Sequence, residues 1–346
     1  MGKMVVAISG MNATDNPGPG VGVARSLRES GFTDLRIVAL CYGSMEPGAY
    51  MEGIADASYL LPFPSEGMHI FWDRLLDIHQ KERIDIIIPN LDAELFTYIK
   101  LRDKLAEVGV RMCLPTMEQF DMRQKYRLPN FGETTGFRVP KSVICNSVED
   151  FFASETELKY PVMMKGSFYE AYYAGCREQA VTHFWNLIAK WGAPVIAQQY
   201  VQGSEFNVVG VGDGKGTLLS CVPMHKLFVT DKGKAWAGVT IRDESLVAHA
   251  RRFVEATRWV GAFELELLRG DDDNLYLIEI NPRIPAWIYL ATAAGENIPE
   301  QIVRLALGME PKVYDAYEVG KMFVRYSWDM IVDQSRFGQF SVKGEI

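Results

Sequence analysis

From Met4 to Leu114 short apolar runs alternate with segments of helical period, and this constrains the fold of the 346-residue chain most. The apolar runs are residues 4–9, 36–40, 57–60, 85–89 and 110–114. Between them lie a helix ending near Leu27, one at 69–82 carrying Ile70, Leu75, Leu76 and Ile78, and one at 92–108. A strand that is apolar at every position, such as Ile86-Ile87-Ile88, is buried on both faces. Such strands alternating with helices predict a parallel sheet covered by helices on both sides, an α/β domain.

The pattern changes near residue 115. A helical stretch is expected at 118–135, then a strand at 160–164, a helix at 177–191 and a strand at 195–201. Longer strands with hairpin turns follow: 205–211 and 218–223 about Gly212–Gly216, and 261–268 and 275–280 about Asp271–Asn274. A helix at 243–259 separates the two hairpins. This part reads as α+β. Chains beyond about 250–300 residues split into several packed units. The expected division is therefore an N-terminal domain at 1–115, a second domain at 116–330 and a tail at 331–346. Within the second domain a small subdomain is expected at about 140–200 and a C-terminal one at about 201–330.

Several function classes are disfavoured. The loop after the first strand spells Gly18-x-Gly20-x-Gly22 instead of G-x-G-x-x-G, and the second strand ends in Leu40-Cys41-Tyr42, without the acid that holds a ribose. A nicotinamide-dependent dehydrogenase is thus poorly supported. Gly212-Asp-Gly-Lys-Gly-Thr217 lacks the phosphate-loop spacing and reads as a hairpin turn. A net charge of -8 argues against a nucleic-acid partner but leaves room for a local anion site. Five scattered cysteines suggest neither a disulfide framework nor zinc. No apolar run approaches the roughly 18 residues of a membrane helix. The first ten residues are too short an apolar stretch for a signal peptide, and Val6 stands where a myristoylation signal needs Ser or Thr. A cytoplasmic protein with no membrane partner is expected.

The strongest chemical signal is Leu277-Ile-Glu-Ile-Asn-Pro-Arg283. On a strand Glu279 and Asn281 share a face, and across the turn Glu264 and Glu266 share another. A hairpin brings Glu266 towards Glu279, where two carboxylates repel unless a cation joins them. Magnesium suits such oxygen ligands together with substrate phosphates, and Arg283 adds a planar cation suited to phosphate. Upstream, Lys165 ends an apolar strand beside Gly166, and Lys125 lies on a helix. The segment Ala197-Gln-Gln-Tyr-Val-Gln-Gly-Ser-Glu-Phe206 breaks at Gly203 and carries Glu205.

With Arg83-Ile-Asp-Ile-Ile-Ile-Pro89, Asp92, Glu94, Phe137-Arg-Val-Pro-Lys-Ser142, Gln198–Glu205 and Gly238-Val-Thr-Ile241, these pieces run in a recognisable order. The chain resembles the ATP-grasp superfamily, particularly its carbamoyl phosphate synthetase-like members, from Met4 to about Tyr326. The resemblance implies an α/β domain preceding an α+β ATP-grasp domain. It implies that Lys125 and Lys165 hold ATP phosphates, that Gln198, Tyr200 and Val201 line the adenine slot, and that Glu205 takes the ribose. It further implies that Glu266, Glu279 and Asn281 bind Mg2+, with Mn2+ as an alternative, and that Arg283 stabilises the transferred phosphoryl group. Relatives of this kind are often homodimers.

Two departures stand out. Lys165 is followed by Gly-Ser-Phe-Tyr-Glu-Ala-Tyr-Tyr-Ala-Gly175 instead of Pro and a glycine-rich lid. Phe168, Tyr169, Tyr172 and Tyr173 read either as packing or as a water-excluding lid. Asn281-Pro282-Arg283 is followed by Ile-Pro-Ala-Trp287, which implies a reshaped substrate pocket. The expected activity is ATP-dependent ligation of a small-molecule carboxylate to an amine through an acyl phosphate. Substrate-side candidates are His225, Lys226, Arg242, Trp287 and the loop 12–22, with Lys226 and Arg242 suited to a carboxylate. The alternative is a nucleotide-binding sensor or partner protein that does not ligate.

Overall fold

The computed structural model describes residues 3–167, 170–230, 233–314 and 316–346. The chain opens with β1 (Met4–Ser9), α1 (Gly20–Arg28), β2 (Leu35–Cys41), β3 (Ala57–Leu60), α2 (Met68–Glu82), β4 (Ile86–Ile88) and α3 (Asp92–Glu107). Next come α4 (Met117–Asp121), α5 (Leu128–Thr135), β5 (Ser142–Cys145), α6 (Val148–Leu158), β6 (Val162–Gly166), β7 (Ala171–Ala174), α7 (Arg177–Trp191) and β8 (Val195–Gln199). The long strands β9 (Gly203–Asp213), β10 (Leu218–Val229) and β11 (Ala235–Thr240) precede α8 (Glu244–Thr257), β12 (Val260–Gly270) and β13 (Leu275–Asn281). The chain closes with α9 (Tyr289–Ala293), α10 (Ile298–Ala306), β14 (Met322–Val324) and α11 (Gln334–Lys343).

By packing, the chain divides into two compact units. One holds Met1–Phe120, Val208–Glu264 and Pro282–Ile346; the other holds Asp121–Asn207 and Leu265–Asn281. In the first unit a four-stranded sheet has the order β3-β2-β1-β4. Its pairs β1–β2, β1–β4 and β2–β3 are all parallel. Alternate residues serve opposite cores. Val5, Ala7, Val38 and Leu40 pack with Phe71, Leu75, Leu95 and Tyr98, whereas Val6, Ile8, Ile37 and Ala39 pack with Val23, Leu27, Ile288 and Ile302. Burial on both faces is what the continuous apolar runs require.

The glycine loop has a steric origin. A Cβ on Gly20 would lie 2.3 Å from the Ser9 carbonyl oxygen, and one on Gly18 would lie 2.5 Å from that of Gly10. The loop turns against the end of β1, so only glycine fits there. The outer edge of β3 is covered by the chain's own end. Ser58 N donates to Ile346 O at 2.7 Å, Ile346 N donates back to Ser58 O at 3.0 Å, and Leu60 N donates to Gly344 O at 2.9 Å.

The remaining strands form antiparallel sheets. In the second unit the order is β5-β8-β6-β7, with α6 and α7 packed through Phe151, Leu158, Phe184 and Leu187. The six-stranded sheet runs β13-β12-β9-β10-β11-β14. Three expectations change. Residues 110–114 supply only a bridge, Ile86 to Arg111, because the Leu114 and Pro115 carbonyls accept from Arg102 instead of continuing a ladder. The stretch 118–135 is broken into α4 and α5, since extended Gln124 interrupts it and Pro129 opens a new helix. Residues 171–174 of the aromatic run are strand β7.

Candidate functional site

In the unit of residues 121–207 and 265–281, the expected lysines and acids meet. The β12–β13 hairpin sets Glu266 beside Asn281, whose Nδ2 donates to Glu266 Oε1 at 3.1 Å. Glu279 lies one alternation earlier on β13, and Lys125 Nζ is 3.7 Å from its Oε2. Lys165 stands on β6 opposite Ala171 of β7 and Ile196 of β8, and only 7% of it is exposed. Burial and the positive charge of Lys125 pull its pKa down to about 8, against the opposing attraction of Glu279, Glu266 and Glu205. The cluster therefore holds two ammonium groups and three carboxylates within electrostatic reach of one another.

Gln198 is buried on β8 opposite Ser142, and its Nε2 donates to Ser142 Oγ at 2.9 Å. Its side chain is thus committed to β5. Tyr200 meets Tyr173 of β7 edge to face, with ring centroids 5.2 Å apart. Val201 is half-buried and Glu205 exposed. Just beyond Val201 the chain is tied to the β12–β13 turn, where Asp271 N donates to Gln202 O at 3.1 Å. Of the aromatic run, Phe168 and Tyr169 lie outside the described residues. Tyr172 stacks on His183 of α7 at 4.9 Å, so this ring packs on its own unit.

The other candidates belong to the unit containing the parallel sheet. Arg283 Nε donates to Asp92 Oδ2 at 2.9 Å, and its Nη1 donates to Ile284 O at 3.3 Å. Asp92 opens α3, 191 residues away in sequence, and no local spacing could have revealed the pair. Trp287 is a core side chain whose Nε1 donates to the buried Glu264 Oε1 at 2.6 Å. Lys226 is buried on β10 opposite Gly238, and His225 sits opposite Val239. Arg242 is exposed immediately before Asp243, which caps α8. In the loop 12–22, Gly18 N donates to Asn12 O at 2.8 Å and closes a turn. Sequence reasoning also passed over the sealed cluster around Glu94. There Ser9 and Tyr42 hydroxyls and the N–H groups of Asn90 and Leu91 all donate to one carboxylate.

Among the described residues no three His, Cys, Asp or Glu side chains cluster as a self-sufficient metal cage. The donor set of Glu266, Glu279 and Asn281 still fits magnesium. That ion needs only one or two protein carboxylates when substrate phosphates complete its shell. No helix among the described residues is long and apolar enough to cross a membrane.

A profile of the family described as ATP-grasp in the biosynthetic pathway with Ter operon matches residues 192–327. The chain is an ATP-grasp superfamily protein. It is similar to the carbamoyl phosphate synthase large chain of Clostridium beijerinckii, 24% identical over 277 residues, or 75% of this chain and 25% of that protein. This ATP-grasp chain thus spans about a quarter of the length of the curated relatives it matches. Among solved structures it resembles the biotin carboxylase–β,γ-ATP complex of Campylobacter jejuni. There the TM-score is 0.73 and the identity 16%, covering 92% of this chain and 74% of that one. It also resembles the MgADP-bound biotin carboxylase domain dimer of Hydrogenobacter thermophilus 2-oxoglutarate carboxylase. That match has TM-score 0.69 and 16% identity, covering 93% of this chain and 73% of that one. These likenesses show the ATP-grasp fold.

Proposed function

We propose that this chain is an ATP-dependent ligase that joins a carboxylate to an amine through an acyl phosphate. The observation that carries the reading is the cluster of Lys125, Lys165, Glu266, Glu279 and Asn281 within one compact unit. Its charges balance as a Mg-nucleotide site requires: acids for the cation, lysines for the phosphates. The ADP and magnesium named with the Hydrogenobacter domain agree with it. The domain organisation proposed is an α/β domain at 1–115 followed by the ATP-grasp domain at 116–330.

In this reading Lys125 and Lys165 hold the β- and γ-phosphates. The backbone around Gln198, Tyr200 and Val201 reads the adenine, and Glu205 accepts from the ribose hydroxyls. Glu266, Glu279 and Asn281 hold Mg2+, with Mn2+ as a substitute. Bound there, the ion neutralises phosphate charge. Lys226 and Arg242 hold the substrate carboxylate, whose oxygen attacks the γ-phosphorus while ADP leaves. Arg283, held by Asp92, opposes the charge of the transferred group. The amine then displaces phosphate from the acyl carbon. Calorimetry with ATP and ADP, with and without magnesium, tests the site. Magnesium-dependent ATP binding that weakens in Glu279→Ala is the expected result; absence of ATP binding under all conditions overturns the reading.

The second reading is nucleotide binding without ligation. It is favoured by the Gly166-Ser167 sequence after Lys165 and by the packing of Tyr172 on His183. Substrate-dependent ADP formation abolished by Glu279→Ala eliminates it.

A further inference from the structure

The parallel sheet has a switch point at β1. From β1 the chain runs to β2 and β3 on one side, then crosses to β4 on the other. Open α/β sheets bind ligands outside the carboxyl ends of their strands at such a point, where diverging connections leave a crevice. Here Gly10, Met11 and Asn12 leave β1 between the connections that follow β2 and β4. Gly10 has φ +74°, and a Cβ on it would lie 3.3 Å from Asn90 Cβ. On the other side Gly48 N, from the connection after β2, donates to Met11 O at 2.9 Å.

Around this tripeptide three buried side-chain oxygens have no donor among the described residues: Asn90 Oδ1, Glu46 Oε2 and Asn16 Oδ1. Asn90 is fully buried, and its Nδ2 donates to Ser9 O and Ile88 O, the last carbonyls of β1 and β4, at 3.0 Å each. The amide nitrogen is thus committed to the strand ends, which leaves Oδ1 on the other side of the amide. Glu46 accepts from Tyr42 N at 2.6 Å and Gly43 N at 3.2 Å, both through Oε1. Burial raises its pKa against the pull of nearby N–H groups, that of Met11 included, yet none reaches hydrogen-bond geometry with Oε2. Asn16 is drawn back to the tripeptide by Asn12, whose Nδ2 donates to the Asn16 carbonyl at 3.4 Å. Buried polar atoms are nearly always hydrogen-bonded, so three bare acceptors around one crevice call for a ligand that brings donors. A carboxylate and two amide oxygens match an ammonium group, which is positive, compact and carries three N–H donors.

We propose that this crevice is the subsite for the amine substrate, whose ammonium group donates to Glu46 Oε2, Asn90 Oδ1 and Asn16 Oδ1. The assignment rests on the ligase reading above and narrows its second substrate to a primary amine. Asp92, two residues beyond Asn90, holds Arg283, so the subsite adjoins the guanidinium assigned there to the transferred group.

Thermal unfolding of the nucleotide-free full chain tests this, because a ligand of the folded state stabilises it by mass action. The midpoint is followed against ethanolamine, potassium chloride and tetramethylammonium chloride at constant ionic strength. Ethanolamine should raise it saturably. Potassium and tetramethylammonium, which bring charge without N–H donors, should not. The apparent dissociation constant for ethanolamine should rise at least about tenfold in Glu46→Gln and about threefold in Asn16→Ala. Asn16 lies in a loop, so its variant reports even if Glu46→Gln disturbs folding. No ethanolamine effect overturns the proposal. So does equal stabilisation by potassium or tetramethylammonium, or an apparent constant unchanged in both variants. Calorimetry with magnesium and ATP separates this from the ligase reading: ATP binding without an ethanolamine effect strikes the amine subsite alone, and the reverse pattern strikes the ligase reading and leaves an amine-binding crevice.

Discussion

The Glu94 and Lys165 clusters both bury charge, and they solve the problem differently. Glu94 is fully sealed and raised in pKa by burial, yet its oxygens accept from Ser9, Tyr42, Asn90 and Leu91, all neutral donors of the same α/β unit. Nothing further is needed to satisfy it. Lys165 is nearly as buried, but it is opposed by the like charge of Lys125 and balanced by carboxylates that also repel one another. The first arrangement is complete as folded. The second keeps opposed like charges as folded, and on the function proposed above a polyanion and a cation would complete it.

Glu279→Ala breaks the comparison where it is strongest. It removes a carboxylate paired with Lys125 on one side and assigned to the cation on the other. Magnesium-dependent ATP affinity should fall about 100-fold or more, with only a small fall in the thermal midpoint, because the Lys125 pair is 3.7 Å long and Glu279 is partly exposed. Glu94→Ala should do the reverse. Stranding several buried donors costs about 3 kcal/mol of stability, measured by denaturant unfolding, with ATP affinity unaltered in the folded fraction. If Glu94→Ala instead spares stability and abolishes ATP binding, the distinction between the two clusters fails.

Lys165→Met sharpens it further through pH. The folded pKa of about 8 lies below the ordinary 10.5, so between these values the unfolded chain holds a proton that the folded chain has lost. Stability therefore rises with pH across that window, and the penalty is fully present below pH 8. Removing the ammonium should stabilise the nucleotide-free chain at pH 7 by up to about 3 kcal/mol and flatten the rise, even as ATP affinity falls. A parent stability that is flat from pH 8 to 10.5 would contradict the buried-charge account of Lys165.

How much of this was legible in sequence follows from the range of the interactions. The parallel sheet was readable because burial on both faces writes a continuous apolar run, as in Ile86–Ile88. The shared face of Glu279 and Asn281 on β13 was readable because strand alternation is local. The Asp92–Arg283 pair and the Glu94 cluster were not, since their members lie 191 and up to 85 residues apart and no periodicity links them. Trp287 was a substrate-side candidate after Asn-Pro-Arg, and the bond its buried indole N–H donates to buried Glu264 has no local signal in the sequence either. Strand β7 was hidden because Tyr172 and Tyr173 at its centre are as typical of loops that close over ligands as of strands.

The smallest expected effect lies at that strand. Tyr173 is 53% exposed and touches Tyr200 edge to face, a geometry that contributes about 0.5–1.5 kcal/mol beyond burial. If Tyr200 serves the adenine slot through its backbone, Tyr173→Ala should weaken ATP binding only about three- to tenfold. Turnover per bound nucleotide should then hold. A strand that also excludes water gives a different split: affinity falls little, while ADP forms without substrate ligation because the acyl phosphate is hydrolysed. Measuring ATP affinity and the ratio of ADP formed to product ligated in the same variant separates the two roles. An unchanged ratio assigns the β7 aromatics to packing; a rising ratio assigns them to a lid.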